Sequence, residues 1–508
     1  MSTINDIINL GFSYHQSGKF TEAELAYNEA LNLDSENAEV HNLLSVLKLQ
    51  QNETDDAIML AERAIQLNPC EYYYETLFQA YIRAGAYNKI IALKDIILSK
   101  YSKNFSLFFN LALAYKNFND FTSAIEFYER ALKIDPTSYQ GWFNLAHLYE
   151  IEGQGKNSVS AMKVCTKLKP KDAETEYFYA ISLMRAKNYS KGLKFFENRL
   201  CKETAVASYE KSYPNLASRK KMWKGENIKN KTLFVYYEAG YGDVIMFSRY
   251  LPLARKKCKK LIFAPQKPLV PLFEQSNLGI DELVEGYIPE KDMQFDVHAP
   301  LLSLPFLLGL KEKNIFETPE GYLNADMQMA EDYQRKFFNN DKLKIGIKWQ
   351  GNTYYDKDRV LPVEKFDELI SLEGTQFYSF QTFEGAESID RLENKSKIIN
   401  IGDEFLNFSQ TASAMMNLDL VICNDTSLAH LAGALGIPCF IMLPYETNWR
   451  WHDDMSHCDW YDSVKLFRKN SPDSWDELFN RVKAELVKGI EKKEIMKQII
   501  SEPVAILS

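Results

Sequence analysis

A chain of 508 residues is too long for one ordinary hydrophobic core, so its length predicts two or three domains. Hydrophobic residues make up 46% and charged residues 25%, as in ordinary globular proteins, and a net charge of −9 argues against a large nucleic-acid interface. The seven cysteines include no C-x-x-C pair, which argues against a disulfide framework and favours a reducing compartment.

The N-terminal sequence lacks a basic segment followed by an apolar one, so no signal peptide is predicted. The most apolar run, residues 301–310, is too short to span a bilayer and contains Pro305. These features predict a cytoplasmic protein with no membrane span and no nucleic-acid partner.

Residues 1–200 repeat with a period near 34 residues. The first and fourth units show the shared small and aromatic positions most clearly, namely Leu10, Gly11, Tyr14, Ala23, Tyr27 and Ala30, then Leu111, Ala112, Tyr115, Ala124, Tyr128, Ala131 and Pro136. Small residues let paired helices approach closely and aromatic residues fill the gap. A proline ends the second, fourth and fifth units, at Pro69, Pro136 and Pro170. The units resemble tetratricopeptide repeats. The third and sixth are degenerate, so five or six are expected.

A solenoid of such repeats presents a concave groove to an extended peptide or a partner helix. The alternative is a rigid spacer or a dimerisation arm. Partner recognition is the favoured interpretation, because solenoid surfaces commonly serve binding.

After the repeats, residues 201–230 are predicted to form a polar linker with a basic run. Strand-length and helix-length segments alternate from there on, which predicts two doubly wound α/β domains, 231–340 and 341–475. The tail, 476–508, is expected to form one or two amphipathic helices.

Residues 418–443 predict a buried strand, a polar turn, a helix of small residues and a second buried strand. The turn contains Asp425, Thr426 and Ser427, and His430 follows one helical turn later. In parallel sheets ligands bind beyond the carboxyl ends of strands, where free N–H groups at a helix N-terminus favour phosphate. The segment therefore predicts a nucleotide or another phosphate-bearing ligand.

Two nucleotide motifs are missing. After the first strand, Gly240 and Gly242 are followed by Ile245 where a dinucleotide fingerprint needs a third glycine. No GxxxxGK[ST] sequence is present either. Both absences argue against a dinucleotide site and a P-loop.

Several motifs in order resemble heptosyltransferase-like glycosyltransferases of the GT-B fold: EAGYGDVIMFSRYLP, FDVHAPLLSLP, GIKWQGN followed by DRVLP, LDLVICNDTSLAHLAGALG and WRWHDDMSHCDWY. The fusion to repeats is similar to the architecture of O-GlcNAc transferase and of flagellin-modifying glycosyltransferases. The resemblance implies an N-terminal all-α tetratricopeptide-repeat solenoid followed by an α/β GT-B region. Of its two Rossmann-like domains, the first would take the acceptor and the second the nucleotide-sugar donor.

By this resemblance, Asp243 matches the family's proposed general base, which takes a proton from the acceptor hydroxyl. Gly240 and Gly242 would let the backbone come close to the acceptor without a side chain in the way. The alternative role for Asp243 is to cap the following helix.

The same resemblance places Asp425, Thr426 and His430 in the donor site. Thr426 and Ser427, with the helix amides, would hold the diphosphate, since stabilising this leaving group is the main electrostatic task of the reaction. As alternatives, Asp425 is a helix cap and His430 is a buried core residue.

The predicted donor site is completed by two residues that follow the strand GIKWQG along the chain. Asn352 is a candidate polar contact to the donor. Arg359 stands near the position where the family often has a lysine that neutralises the diphosphate, and an arginine would bind it in a forked geometry. The alternative for Arg359 is a surface ion pair.

The loop before the last strand is rich in aromatic residues. Trp449, Trp451, Trp460 and Tyr461 would stack on the sugar or base, or form a loop core. Arg450 would either reach the donor phosphates or tie the loop down.

Two acidic clusters suggest metal ligands only weakly. Asp356 and Asp358 form a D-x-D sequence, interpreted as a solvated loop, and the histidines and aspartates of 452–457 lack the spacing of a zinc site. No metal and no cofactor beyond the nucleotide-sugar co-substrate are expected.

The resulting prediction is an inverting, metal-independent glycosyltransferase that modifies a hydroxyl of a protein acceptor presented by the repeats. By architectural analogy, the acceptor would be flagellin or an adhesin. One alternative is transfer to a lipid-linked or free glycan. Another is a non-catalytic repeat scaffold with a degenerate transferase domain.

Overall fold

The computed structural model falls into two compact units, Met1–Pro170 and Lys171–Ser508. The residues that the structure describes are 3–201, 221–285, 294–317, 321–352, 358–454, 456–472 and 474–491.

The described part of the first unit is built from α-helices that pack in consecutive pairs. They are α1 (Ile4–Gln16), α2 (Phe20–Leu33), α3 (Ala38–Gln50), α4 (Thr54–Leu67), α5 (Glu71–Arg83), α6 (Tyr87–Ala92), α7 (Lys94–Lys100), α8 (Phe105–Asn117), α9 (Phe121–Ile134), α10 (Tyr139–Ile151) and α11 (Gly155–Leu168). The predicted tetratricopeptide-like helix pairs are therefore confirmed.

The small and aromatic residues of the repeat pattern hold each pair together. In the first pair a Cβ atom on Gly11 would lie 2.8 Å from the ring of Tyr27, and that ring is fully buried. In the pair α8–α9, Tyr115 stacks on Phe127 at 5.4 Å. The third pair departs from the pattern, because its second helix is interrupted at Leu93.

The second unit begins with another helix pair, α12 (Ala173–Arg185) and α13 (Tyr189–Phe196). A 3₁₀ turn, Glu197–Cys201, follows. The sequence analysis counted this pair as the last repeat of a solenoid ending at residue 200. In the structure Tyr189 and Phe196 share a hydrophobic core with Trp449 of the α/β region.

The first sheet of the second unit has five parallel strands in the order β1-β5-β2-β3-β4. They are β1 (Lys221–Met222), β2 (Ile228–Tyr236), β3 (Cys258–Ala264), β4 (Glu282–Leu283) and β5 (Val297–Pro300). The helices here are α14 (Tyr241–Ser248), α15 (Leu251–Arg255), α16 (Val270–Gln275), α17 (Leu304–Leu307) and α18 (Met327–Phe337). Of the predicted linker, residues 202–220 lie outside the described residues, and β1 with the start of β2 occupies five of the residues 221–230.

The second sheet has six parallel strands in the order β11-β10-β9-β6-β7-β8. They are β6 (Leu343–Lys348), β7 (Thr375–Ser379), β8 (Ile398–Asn400), β9 (Leu420–Asn424), β10 (Cys439–Leu443) and β11 (Val464–Arg468). The helices are α19 (Asp367–Ile370), α20 (Phe408–Met415), α21 (Ser427–Leu435) and α22 (Asp476–Glu491). The two doubly wound halves predicted from the alternating pattern are confirmed.

All described helices are too short or too polar to cross a membrane. The 3₁₀ turn Trp449–Trp451 belongs to the loop between β10 and β11, and this loop, 444–463, is called the arginine loop below after Arg450.

Candidate active site

The site lies where the strand order of the second sheet reverses. Strands β6 and β9 are neighbours there, with Lys348 paired to Cys423, although the chain leaves them in opposite directions across the sheet. Ligands of doubly wound folds bind beyond the carboxyl ends of such strands. Two predicted segments follow these strand ends, Gly351–Asn352 after β6 and Asp425–Ser427 after β9.

The turn after β9 is held against the segment after β6. A Cβ atom on Gly351 would lie 3.0 Å from Thr426 Cγ2, so the two segments touch. Asn352, at the end of its segment, is exposed. Thr426 is the N-cap residue of α21, but no side-chain hydrogen bond caps the helix there. The first amide groups of α21 are therefore available to an anionic ligand.

Arg359 joins this turn from the segment after β6. Its Nη1 lies 3.2 Å from Asp425 Oδ2, and the Asp425 side chain is only 8% exposed. Asn424 Nδ2 donates to the Arg359 carbonyl at 2.8 Å. Arg359 thus lies beside the turn, where it forms an ion pair with Asp425 and is one-third exposed to solvent. Its contact with a donor stays a prediction.

His430, on α21, is buried with only 4% of its surface exposed. Its Nδ1 lies 3.1 Å from the Tyr461 hydroxyl, and its ring stacks on Trp451 with centroids 5.3 Å apart. Burial first, and then the positive charge of Arg450, lower the pKa of His430 to about 3. The imidazole is consequently neutral near pH 7 and acts as a hydrogen-bonding group rather than a cation.

Asp243 lies in the first turn of α14, whose N-cap is Gly240. Asp243 Oδ2 accepts a hydrogen bond from the Gly240 amide at 3.2 Å, so the carboxylate does cap this helix. Its other oxygen, Oδ1, forms an ion pair with Arg450 of the arginine loop. The Asp243 side chain remains 20% exposed.

Gly242 is one of the points at which the two halves meet. A Cβ atom there would lie 2.9 Å from His430 Cδ2 and 3.4 Å from Ser427 Cα. Only a residue without a side chain allows this approach. The close approach of Gly242 brings Asp243, the next residue along the chain, to the N-terminus of α21.

We expect Gly242→Ala to push the halves apart, because the His430 ring is enclosed by Trp451 and Tyr461 and cannot yield. Overpacking of this kind costs about 1–3 kcal/mol, so nucleotide affinity should fall by about tenfold or more. Gly240→Ala is the matched control, since its Cβ would meet only Asp243 Oδ2, at 3.7 Å. Equal losses of affinity in the two variants, measured by calorimetry, would contradict this account.

The arginine loop is held by the pair α12–α13, and the sequence analysis missed these contacts. The bonds are Arg185 Nη1 to the Thr447 carbonyl at 2.8 Å, Arg185 Nε to Asp453 Oδ1 at 2.8 Å, Lys187 Nζ to Asp454 Oδ2 at 2.8 Å, and Tyr189 hydroxyl to His452 Nε2 at 3.0 Å. The histidine and aspartates considered as metal ligands thus have other partners.

The turn before α14 is also fixed by a residue of the helical segment. Arg199, which is 7% exposed, forms a forked ion pair with Glu238 at 2.6 and 3.0 Å. Glu238 Oε1 also accepts the Leu302 amide at 3.1 Å. Since Glu238 directly precedes the glycine turn, this bidentate pair sets the position of α14 and of Asp243.

A buried arginine, Arg249, lies behind His430 and was not predicted. It is 2% exposed, donates Nη2 to the Trp460 carbonyl at 2.9 Å, and faces the rings of Tyr322 and Tyr461. No carboxylate of the described residues forms a salt bridge with it. Its charge adds to those of Arg359 and Arg450, which makes this region attractive to an anion.

Lys348, the last residue of β6, is a further cation that the sequence analysis did not single out. Its burial lowers the pKa of the amine to about 8. The Nζ atom lies 3.4 Å from Thr382 Oγ1, and the surrounding strands are apolar. A lysine within the apolar run GIKW is the sequence signal that marks this residue.

Within the described residues, no group of three or more His, Cys, Asp and Glu is arranged to hold a metal ion. Asp356 of the D-x-D sequence lies outside these residues. Metal independence therefore stays a prediction.

Two doubly wound halves that meet at a cleft, with a phosphate-type turn on one side and a carboxylate on the other, define the GT-B class of fold. Residues 312–443 match the model of glycosyltransferase family 9 (heptosyltransferase). Residues 11–52, 106–138 and 127–156 match tetratricopeptide-repeat models. The chain therefore combines segments that match tetratricopeptide repeats with a segment that matches glycosyltransferase family 9.

Sequence identity to individual relatives is low. Protein FlbA of Caulobacter vibrioides is 24% identical over 398 residues, which cover 72% of this chain and 64% of that protein. The chain thus spans less than two thirds of this relative. BBSome complex member bbs-4 of Caenorhabditis elegans is 25% identical over 181 residues, 34% of this chain and 38% of that protein.

Two solved structures cover the α/β region. The glycosyl transferase family 9 protein from Veillonella parvula is 14% identical, with a TM-score of 0.39, over 53% of this chain and 91% of that one. The E. coli ADP-heptose lps heptosyltransferase II is 15% identical, with a TM-score of 0.38, over 52% of this chain and 99% of that one.

Proposed function

We propose that this protein is a glycosyltransferase that moves a sugar from a nucleotide-sugar to a hydroxyl group. The observation that carries the proposal is the approach of Gly242 to Ser427 and His430, which places Asp243 at the N-terminus of α21. A carboxylate and an anion-binding helix end are the two groups that such a transfer needs in one cleft.

In the proposed reaction, the amides of α21 and the hydroxyls of Thr426 and Ser427 bind the donor diphosphate. Arg359 contributes positive charge at the same turn. Asp243 takes the proton from the acceptor hydroxyl while the oxygen of that hydroxyl bonds to the anomeric carbon. The bond from that carbon to the diphosphate breaks, and the nucleoside diphosphate leaves. Attack from the side opposite the diphosphate inverts the anomeric centre, and no metal takes part.

The proposed acceptor is a serine or threonine hydroxyl of a protein bound by the repeats. Support comes from the helix pairs of the first unit and their matches to tetratricopeptide repeats, since such solenoids commonly bind peptides and helices. A flagellin-like or adhesin-like acceptor is proposed on architectural analogy alone.

The test is intact-mass analysis of candidate acceptor proteins produced with the wild-type enzyme and with Asp243→Asn. A sugar-sized mass present only with the wild type is the expected result. It would also identify the class of sugar. If the masses are identical and no nucleotide-sugar binds in calorimetry, the enzyme proposal is wrong. Identical masses with donor binding would instead indicate a glycan acceptor.

A further inference from the structure

The backbone of Arg450 is anchored in the arginine loop, and its side chain lies against an aromatic ring. Trp460 Nε1 donates to the Arg450 carbonyl at 2.7 Å, and the Arg450 amide donates to Asn448 Oδ1 at 3.3 Å. The guanidinium lies 4.8 Å from the centre of the Trp449 ring. An arginine resting on an aromatic ring can slide along it while keeping most of its contact area.

Two of the three nitrogen atoms of this guanidinium donate hydrogen bonds to described residues, and the third does not. Nη1 donates to Asn448 Oδ1 at 2.7 Å, and Nη2 donates to Asp243 Oδ1. Nε is buried and has no hydrogen-bond partner in the described protein. A buried N–H without an acceptor is costly, so the Nε–H is a donor that a further oxygen could satisfy.

The guanidinium of Arg450 is close to the proposed diphosphate site. Among the charged groups around His430, Arg450 has the largest effect in lowering the pKa of this histidine, which lies on α21 within one turn of Ser427. Asp243 follows Gly242, which contacts Ser427. A guanidinium paired with Asp243 is therefore also beside the N-terminus of α21.

We propose that Arg450 is a positioning residue that exchanges the carboxylate of Asp243 for the diphosphate of the donor. This inference rests on the proposed function. In the ligand-free protein the guanidinium donates a hydrogen bond to Asp243 Oδ1. When a diphosphate binds at α21, Arg450 turns to it and leaves Oδ1 free to accept the proton of the acceptor hydroxyl. The donor thereby prepares the base, and binding is ordered with the donor first.

The exchange is favourable because a diphosphate carries more negative charge than one carboxylate and can accept a forked pair of hydrogen bonds, whereas Asp243 accepts only one from Arg450. Asp243 keeps its bond to the Gly240 amide throughout, so the start of α14 does not move. No bond is made or broken in this step, and the only change is the partner of one guanidinium.

The test is calorimetric titration with UDP, GDP and ADP, using the nucleotide that binds the wild type most tightly. Asp243→Asn should bind it about tenfold more tightly, since Arg450 no longer leaves a charged partner. Arg450→Gln should bind it about tenfold more weakly. In the double variant the gain from Asp243→Asn should vanish. Asn is chosen because its side-chain oxygen can still accept the Gly240 amide.

Two controls separate this role from a merely structural one. Arg450→Lys keeps the charge without the fork and should recover part of the lost affinity, whereas a packing defect would not be rescued. Asp243→Ser, a second short helix cap, should tighten binding as Asn does. Unchanged or weaker binding in both Asp243 variants overturns the inference, as does tightening that persists in the Arg450→Gln background. If no nucleotide binds the wild type, the proposed function fails, and this inference fails with it.

Discussion

Replacing Asp243 by Asn is expected to lower the rate of sugar transfer by about 10²–10⁴-fold while nucleoside diphosphate still binds. The amide cannot take a proton from the acceptor, but it can still accept the hydrogen bond from the Gly240 amide. Loss of rate with retained binding is the result that separates a base from a helix cap. The measurement is the initial rate of nucleoside diphosphate release in the presence of acceptor.

The matched control for this experiment is Asp326→Asn. Asp326 caps α18 by accepting the Met329 amide at 3.0 Å, so it shares the capping role but has no predicted chemical one. The rate of sugar transfer by Asp326→Asn should stay within about twofold of the wild type, because Asn is as good a cap as Asp. A normal rate in Asp243→Asn would show that Asp243 serves only as a cap, and the base would have to be sought elsewhere.

The second large effect is expected at the start of the second unit. A protein that begins at residue 171 should fold and bind nucleotide, whereas one that begins at residue 202 should be unfolded. The shorter protein lacks Arg199 and Arg185, which leaves Glu238 and Asp453 without their buried partners. Breaking one buried ion pair costs about 3–5 kcal/mol, and a whole domain has only about 5–15 kcal/mol of stability.

Circular dichroism melting of the two truncated proteins measures this difference. A cooperative transition only in the protein that begins at 171 is the expected outcome. Point variants give an independent reading in the full chain. Tyr189→Phe removes the hydroxyl that bonds His452 and should cost about 1 kcal/mol, while Arg199→Met should cost several times more. Normal folding of the protein that begins at 202 would assign α12 and α13 to the repeats alone.

Local signals explain why much of the fold is predictable from the sequence. The segment that becomes β9, its turn and α21 alternates between apolar, polar and small residues over a few positions, so the anion-binding turn around Thr426 can be located directly. The repeat period is equally local, because Gly11 and Tyr27 meet within one helix pair. The roles assigned to Asn352, Arg359 and the turn residues stay predictions, although the structure brings most of these residues to the carboxyl ends of β6 and β9.

The contacts that complete the site depend on the three-dimensional path of the chain. Arg450 and Asp243 are 207 residues apart, and nothing near either position indicates the other. The pair α12–α13 has the small and aromatic residues of a repeat, and these residues specify packing inside the pair, not the partner of its outer face. Arg249 directly follows the apolar helix α14, where sequence alone does not tell a buried cation from one that reaches solvent.

The interruption of the third helix pair has a mechanical consequence for the first unit. In a solenoid each pair is stabilised mainly by its neighbours, so the array behaves as a chain of links of unequal strength. Helices of six and seven residues, such as α6 and α7, are marginal on their own. Tension or thermal opening would therefore concentrate at this link, and amide hydrogens around Leu93 should exchange before those of α8 and α9. The array can bend there while the pairs on either side remain intact.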